Sequence, residues 1–346
     1  MNKGNGEIRK SGWLVEGLLR VLVVFSLLLP LIYFSKTTFA AEKRVPVKKV
    51  FVIGHRGAAG LYPENTLYGF ERTLEIGVDG IELDVLTTAD GVLCVHHDYC
   101  LKPEIARTSD KKWVDKKSSI PIKSKTFAEL QTYDVGRLRR HTKYASKYPE
   151  QQPIDGERIP ALREVIALMK QRSQDDTKLW IEIKTSPEQP DMTPPVEMVV
   201  KQVLKVINDE NFESRALVLS WDWRTLALVQ EMAPQIPTAH VSGTGKRIDN
   251  IKLRQPGPSP WTAGIDVDDY KGSIPHGIQA AGGQIWCAWR RTLTKKQVET
   301  AHELGLKVFV WTVDSKKDMK RFLKMDVDGI ITNRPDRAKQ LLSQTD

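Results

Sequence analysis

Eight short β-branched runs, spaced by amphipathic segments, constrain this chain's fold more than any other feature. They are VFVIG (50–54), GIELDV (80–85), LWIEIK (179–184), ALVLSW (216–221), PTAHVSG (237–243), QIWCAW (284–289), KVFVWTVD (307–314) and DGIITN (328–333). Stretches with helical periodicity lie between most of them, such as LREVIALMKQR and VEMVVKQVLKVIND. Strand–helix alternation calls for βα units on a parallel sheet, and eight such units over about 290 residues predict an α/β fold of the (β/α)8 TIM-barrel type. An open doubly wound sheet is the rival, but no GxGxxG loop supports it.

A ninth run, VLCVHHD (92–98), breaks the alternation. Only TTADG separates it from the second strand, far too short for a helical crossover. "ADG" is a tight-turn signal, so residues 92–97 are expected to return as the second arm of a hairpin. Residues 99–160 are polar and rich in Lys and Pro, with one short helix near FAELQTY. They predict a subdomain inserted after that hairpin, where it would shape access to a site.

The first 40 residues stand apart. Lys3, Arg9, Lys10 and Arg20 precede the apolar run of residues 21–34, and small residues follow at Thr38 and Ala40. That order is the one a secretory signal has. The run is short for a membrane span and contains Pro30, which leaves an uncleaved N-terminal anchor as the alternative. The expectation is a signal peptide over 1–40 and a barrel domain over 41–346, exported to the periplasm or secreted, with no stable membrane insertion of the mature chain.

Losing residues 1–40 would lower the formal net charge from +9 to +6. A moderate basic excess suits an anionic substrate or an anionic membrane surface. No dense Lys/Arg block with interleaved aromatics argues for nucleic acid. Cys94, Cys100 and Cys287 form an odd set without a CxxC, which gives no thiolate metal site. In an exported protein Cys94 with Cys100 would be the simplest pair, although sequence alone does not decide it.

Side chains alternate along a strand, so Glu82 and Asp84 point the same way, and Glu182 and Lys184 repeat that spacing in IEIK. Carboxylates inside apolar strands need compensation, either from Lys and Arg or from a hard divalent cation. Three oxygen ligands suit Ca²⁺ or Mg²⁺ better than zinc. With the hairpin turn near Asp90-Gly91, the partner of Asp84 falls near His97, and His55 ends the neighbouring first strand. Two imidazoles beside such a cluster can work as general acid and base. Arg56 and Lys184 add positive charge for an anion, and the set as a whole points to phosphoryl chemistry.

These residues sit in motifs that resemble the glycerophosphodiester phosphodiesterase family: HRG at 55–57, PENT at 63–66, GVDGIELDV at 77–85, DG-x4-HHD at 90–98, IEIK at 181–184, VWTVD at 310–314 and DGIITNRPD at 328–336. The resemblance runs in order through essentially the whole of 50–340. It implies cleavage of a small-molecule glycerophosphodiester to sn-glycerol 3-phosphate and an alcohol, with one divalent cation, Ca²⁺ ahead of Mg²⁺. It further implies His55 and His97 as the acid–base pair, Glu82, Asp84 and Glu182 as metal ligands, and Arg56 and Lys184 as phosphate contacts. Trp311 would line the glycerol side, and Glu64 and Asn65 would hold the first loop from behind.

Three departures stand out. His96 replaces the usual apolar residue before the second catalytic His, and strand parity turns it away from the site. Asn333 stands where many relatives have Asp, and Asp314 where they often have Asn. The competing functions are a lysophospholipase D-like barrel, which would need a trough for an acyl chain, and a non-catalytic surface binding protein.

Overall fold

The computed structural model describes residues 48–344 except 174, 175 and 247, so the signal-like segment 1–40 lies outside the described residues. Among the described residues nine strands form one sheet: β1 (Phe51–Gly54), β2 (Gly80–Thr87), β3 (Leu93–Val95), β4 (Lys178–Ile183), β5 (Ala216–Ser220), β6 (Thr238–Ser242), β7 (Ile285–Trp289), β8 (Lys307–Trp311) and β9 (Gly329–Thr332). All but β3 run parallel in the order β1-β9-β8-β7-β6-β5-β4-β2, and a β1–β2 pairing closes the ring. The helices are α1 (Leu67–Glu75), α2 (Phe127–Leu130), α3 (Leu162–Arg172), α4 (Val196–Asp209), α5 (Trp223–Met232), α6 (Ile274–Ala280), α7 (Lys295–Glu303), α8 (Lys316–Leu323) and α9 (Pro335–Leu342). Among the described residues no helix is long and apolar enough to cross a membrane. The predicted (β/α)8 barrel is the fold observed.

Strand parity separates two cores. In β2 the odd residues Ile81, Leu83 and Val85 pack outward under the helices, as do Leu179, Ile181 and Ile183 of β4. The barrel interior holds Ile53, Trp180, Leu217, Ile285, Phe309 and their neighbours. Trp180 lies 4.6 Å from Phe309, centroid to centroid, and plugs the interior below the acidic residues. Parallel register sets Asp84 beside Glu182 and Glu82 beside Trp180, so the carboxylates are inward positions near the C-terminal end.

The hairpin is present but one residue out of the expected register. β2 and β3 pair Val85 with Val95 and Thr87 with Leu93, which brings His96, not His97, level with Asp84. The ladder ends at Val95, and the chain beyond it is free to turn His97 into the barrel mouth while His96 bonds the Cys100 carbonyl through Nε2 at 3.2 Å. All three cysteines are free, so the Cys94–Cys100 pair does not form.

The segment after the hairpin packs through an apolar cluster that joins Leu101, Val114, Ile122, Leu130 and Ile159 to Leu86 and Cys94 of the hairpin strands. Arg107 ties it internally to Asp134 and Asp155, each at 2.6 Å. Its far end is fastened to the barrel through Glu150, which Arg334 and Arg337 reach at 2.6 and 2.7 Å.

Candidate active site

The turn after β1 builds the first half of the site. Arg56 and Gly57 both adopt positive φ, +50° and +82°, a conformation natural to glycine and strained for arginine. The Arg56 backbone N–H donates to Glu82 Oε2 at 2.8 Å, which holds that strained residue against β2. Its side chain donates to Glu64 at 3.1 Å and comes within 3.5 Å of Asp84. Asn65 donates from Nδ2 to Asp84 Oδ2 at 3.0 Å. Glu64 and Asn65 thus brace the loop from behind, as expected of PENT.

The second half comes from β2 and β4. Ligand atoms of Glu82, Asp84 and Glu182 all lie within 4.8 Å of one another, and all three residues are buried. Lys184 bonds Glu182 Oε1 at 2.7 Å and approaches Asp84 Oδ1 only to 3.5 Å. Among the described residues, Glu82 Oε1 and Asp84 Oδ1 are buried with no hydrogen-bond partner. Burial and the neighbouring Asp84 and Glu182 push Glu82 far above the usual carboxylate range. Burial also raises Asp84, but His97, Lys184 and Arg56 outweigh it and hold its carboxyl low. Two cations, one of them shared with Glu64, do not neutralise three packed carboxylates. The oxygen-only donor set, its leftover negative charge and its orphaned atoms fit a hard divalent cation.

The histidines flank this cluster with different partners. Asp314 offers Asn333 only acceptors, so the Asn333 amide turns Nδ2 to Asp314 Oδ2 at 2.9 Å and Oδ1 to His55 Nδ1 at 2.7 Å. His55 therefore carries its proton on Nδ1 and presents a bare Nε2, 3.9 Å from Glu82. Burial and the Arg56 charge push its pKa down to about 4, against the Asn333 hydrogen bond and nearby carboxylates. His97 donates from Nδ1 to Asp98, which Lys102 approaches at 3.2 Å. Burial, Arg56 and Lys184 push His97 to about 3.

A cavity of about 390 Å³ joins these groups. His55, Arg56, Glu82, His97, Glu182 and Lys184 form its polar side, and Leu219, Val241, Trp311 and Ile331 its apolar side. Trp311 is fixed by donating from its indole to the Cys287 carbonyl at 3.0 Å and by an edge-to-face contact with Trp221. Every site residue expected from the sequence lines this cavity except Asp84, which sits behind it within the carboxylate cluster.

Sequence reasoning missed four contributors. Tyr144, from the long insertion, donates to Glu64 and accepts from Arg56 at 3.3 Å. Asp98 closes the HHD motif and accepts from His97. Asn333 and Asp314 are two of the departures from the family pattern, and no local motif encodes their joint hold on His55. Proximity of Asp98 to His97 was a signal available in the sequence.

Comparison with known proteins agrees with this geometry. The glycerophosphoryl diester phosphodiesterase family model matches residues 55–337. A glycerophosphodiester phosphodiesterase of Caldanaerobacter subterraneus is 31% identical over 294 residues, covering 85% of this chain and 98% of that protein. One from Bacillus altitudinis is 33% identical over 290 residues, 84% and 97% of the two chains. A crystal structure from Silicibacter pomeroyi, provisionally named a glycerophosphoryl diester phosphodiesterase, superposes with a TM-score of 0.76 at 32% identity, covering 86% and 95%. An Oleispira antarctica phosphodiesterase solved with the product sn-glycerol-3-phosphate shares the fold, with a TM-score of 0.61 at 19% identity and coverage of 85% and 96%. With the family match running over residues 55–337 and taking in the whole cavity lining, the chain belongs to the glycerophosphoryl diester phosphodiesterase family and is an enzyme of that class.

Proposed function

We propose that this enzyme hydrolyses glycerophosphodiesters to sn-glycerol 3-phosphate and an alcohol, with a divalent cation held by Glu82, Asp84 and Glu182 and with His55 and His97 moving the protons. The observation that carries the reading is the excess of buried carboxylate charge, with two orphaned oxygens, between two imidazoles and beside Arg56 and Lys184. The product seen with the Oleispira antarctica enzyme is the one proposed for this chain. When bound, the cation would supply Lewis-acid polarisation of the phosphate. Ca²⁺ is the ion of choice, because a set of carboxylates without His or Cys suits it and places few demands on geometry.

Arg56 and Lys184 hold the phosphodiester anion and stabilise charge that grows on its oxygens. The histidines divide the proton work by their partners. His55 rests on an amide, which stays neutral, so its Nε2 accepts the proton of the attacking hydroxyl. His97 rests on the Asp98 carboxylate, which stabilises an imidazolium, so it protonates the departing alkoxide. The two cations that depress His97 are the ones a phosphate would neutralise, so substrate binding favours its protonated form.

We further propose export, with residues 1–40 as the cleaved segment and 99–160 as a subdomain that supplies Tyr144 to the site. Export is supported by the charged-apolar-small order of that segment. Release of glycerol 3-phosphate from glycerophosphocholine, with and without chelator and beside His55→Ala, tests the activity. Metal-dependent release that vanishes in the variant is expected. Folded, metal-loaded protein that releases none from any glycerophosphodiester contradicts the reading. Mass spectrometry of protein recovered from its native host tests export, with a mature chain beginning near Ala41 as the expected result.

A further inference from the structure

The cavity does not end at the carboxylates. A second compartment of about 350 Å³ opens beyond His97 and is walled by Tyr99, Trp221 and Trp261, with Ile183 and Thr185 between them. It shares His97, Glu182, Lys184 and Trp221 with the first, whereas His55 and Trp311 border the first alone. A phosphodiester held at Arg56 and Lys184 therefore has one ester arm on the Trp311 side and the other past His97. The second arm is the leaving alcohol, since His97 is the proton donor in the proposed reaction.

The chemistry of the walls narrows what that alcohol is. Three of the polar side chains there are already engaged. Thr185 donates to Asp222 at 2.8 Å, Asp98 is held by His97 and Lys102, and Lys184 is bound to Glu182. A polyol would surrender its hydration to a compartment with few free oxygens to replace it. What remains is aromatic surface from one phenol and two indoles, bordered by the Asp98 and Glu182 carboxylates. Aromatic faces attract a cation that makes no hydrogen bonds of its own.

We propose that this compartment is a head-group subsite for a quaternary ammonium alcohol such as choline, with Trp261 and Trp221 as its principal walls. It rests on the phosphodiesterase reading above, and its test separates the two. The full metal-loaded enzyme is assayed on four glycerophosphate diesters, of choline, of inositol, of 3,3-dimethylbutanol and of methanol. The dimethylbutyl ester copies the shape of choline without its charge, and the methyl ester is too short to reach the compartment.

Choline is expected to exceed inositol in kcat/KM by about tenfold or more. It is expected to exceed the uncharged isostere by about threefold to tenfold, the range of one well-placed cation–aromatic contact. Trp261→Ala should lower kcat/KM for the choline ester about tenfold more than for the methyl ester, and Trp261→Phe should restore most of that difference. Equal rates for choline, inositol and the isostere overturn the subsite, as does a Trp261→Ala loss that is the same for the choline and methyl esters. If wild-type enzyme cleaves none of the four, the phosphodiesterase reading itself fails and the subsite falls with it. Methyl ester turnover tells these failures apart.

Discussion

Two polar clusters stand at opposite ends of the same barrel, and they are built on opposite rules. At the N-terminal end, Asp328 accepts from His302 at 2.9 Å and from the Val308 backbone at 2.7 Å, and Lys48 lies 3.0 Å away. Every charge there meets an opposite charge or a backbone dipole. At the C-terminal end, Glu82, Asp84 and Glu182 crowd together with two oxygens unpaired. The first cluster is what a barrel needs to close its bottom. The second costs stability that a balanced arrangement would not, and barrels carry their chemistry at that end. Similar residue types thus read as scaffold or as site according to whether the charges cancel.

The contrast is broken most severely by removing charge from each end. Glu182→Gln should reduce kcat/KM by about a thousandfold or more, while the metal-free protein unfolds at the same or a higher temperature, because like-charge crowding is relieved. Activity assays paired with thermal unfolding in chelator check both halves. A variant that loses activity and stability together would make the cluster an ordinary structural ion-pair network.

Within the C-terminal cluster the contrast recurs between His55 on an amide and His97 on a carboxylate. Replacing His97 by Ala should cost about 10²–10⁴ in rate on glycerophosphocholine and far less on a p-nitrophenyl ester, whose leaving group needs no proton. His55→Ala should be impaired on both. Equal rescue of the two variants would remove the division of labour.

Glu64 sharpens the boundary between site and scaffold. Burial raises its pKa, but Lys102, Arg56 and the Tyr144 hydrogen bond outweigh that and bring it to about 2. A depressed carboxylate adds stability above its unfolded value, near 4.5, and that contribution is lost as pH falls from there through about 2. The amount is on the order of 3 kcal/mol. Denaturant titrations at pH 5 and pH 3 should show a smaller acid loss for Glu64→Gln than for wild type.

The smallest effect belongs to the balanced end. Asp328→Asn should cost about 1–2 kcal/mol of stability by weakening the His302 and Lys48 contacts, with kcat unchanged. A fall in kcat would mean that the two ends are coupled.

Much of this was legible in the sequence because strand parity and helix periodicity are local signals. The spans LREVIALMKQR and VEMVVKQVLKVIND are α3 and α4 residue for residue. Parity puts Glu82 and Asp84 on one face, and the pairing of β2 with β4 brings Glu182 beside them. α6, IPHGIQA, was not foreseen, since its Pro and Gly weaken the helical pattern that would have marked it. The hairpin register slipped by one because the ladder stops at Val95, a point that depends on how the following loop packs. Asn333 and Tyr144 were out of reach for another reason. Asn333 meets His55 across 278 residues, and Tyr144 meets Glu64 across 80, through loops whose paths no periodicity encodes.

The most direct test of the central claim is the thermal unfolding of chelator-stripped enzyme across a Ca²⁺ titration, beside Glu182→Gln. The account predicts a rise of about 5 °C or more at roughly a hundred times the dissociation constant, since a ligand bound only by the folded state then adds about 2.7 kcal/mol. The variant should show little of that rise. A wild-type unfolding temperature indifferent to Ca²⁺, Mg²⁺ and Mn²⁺ alike would contradict the account and leave the three carboxylates without the partner their geometry calls for.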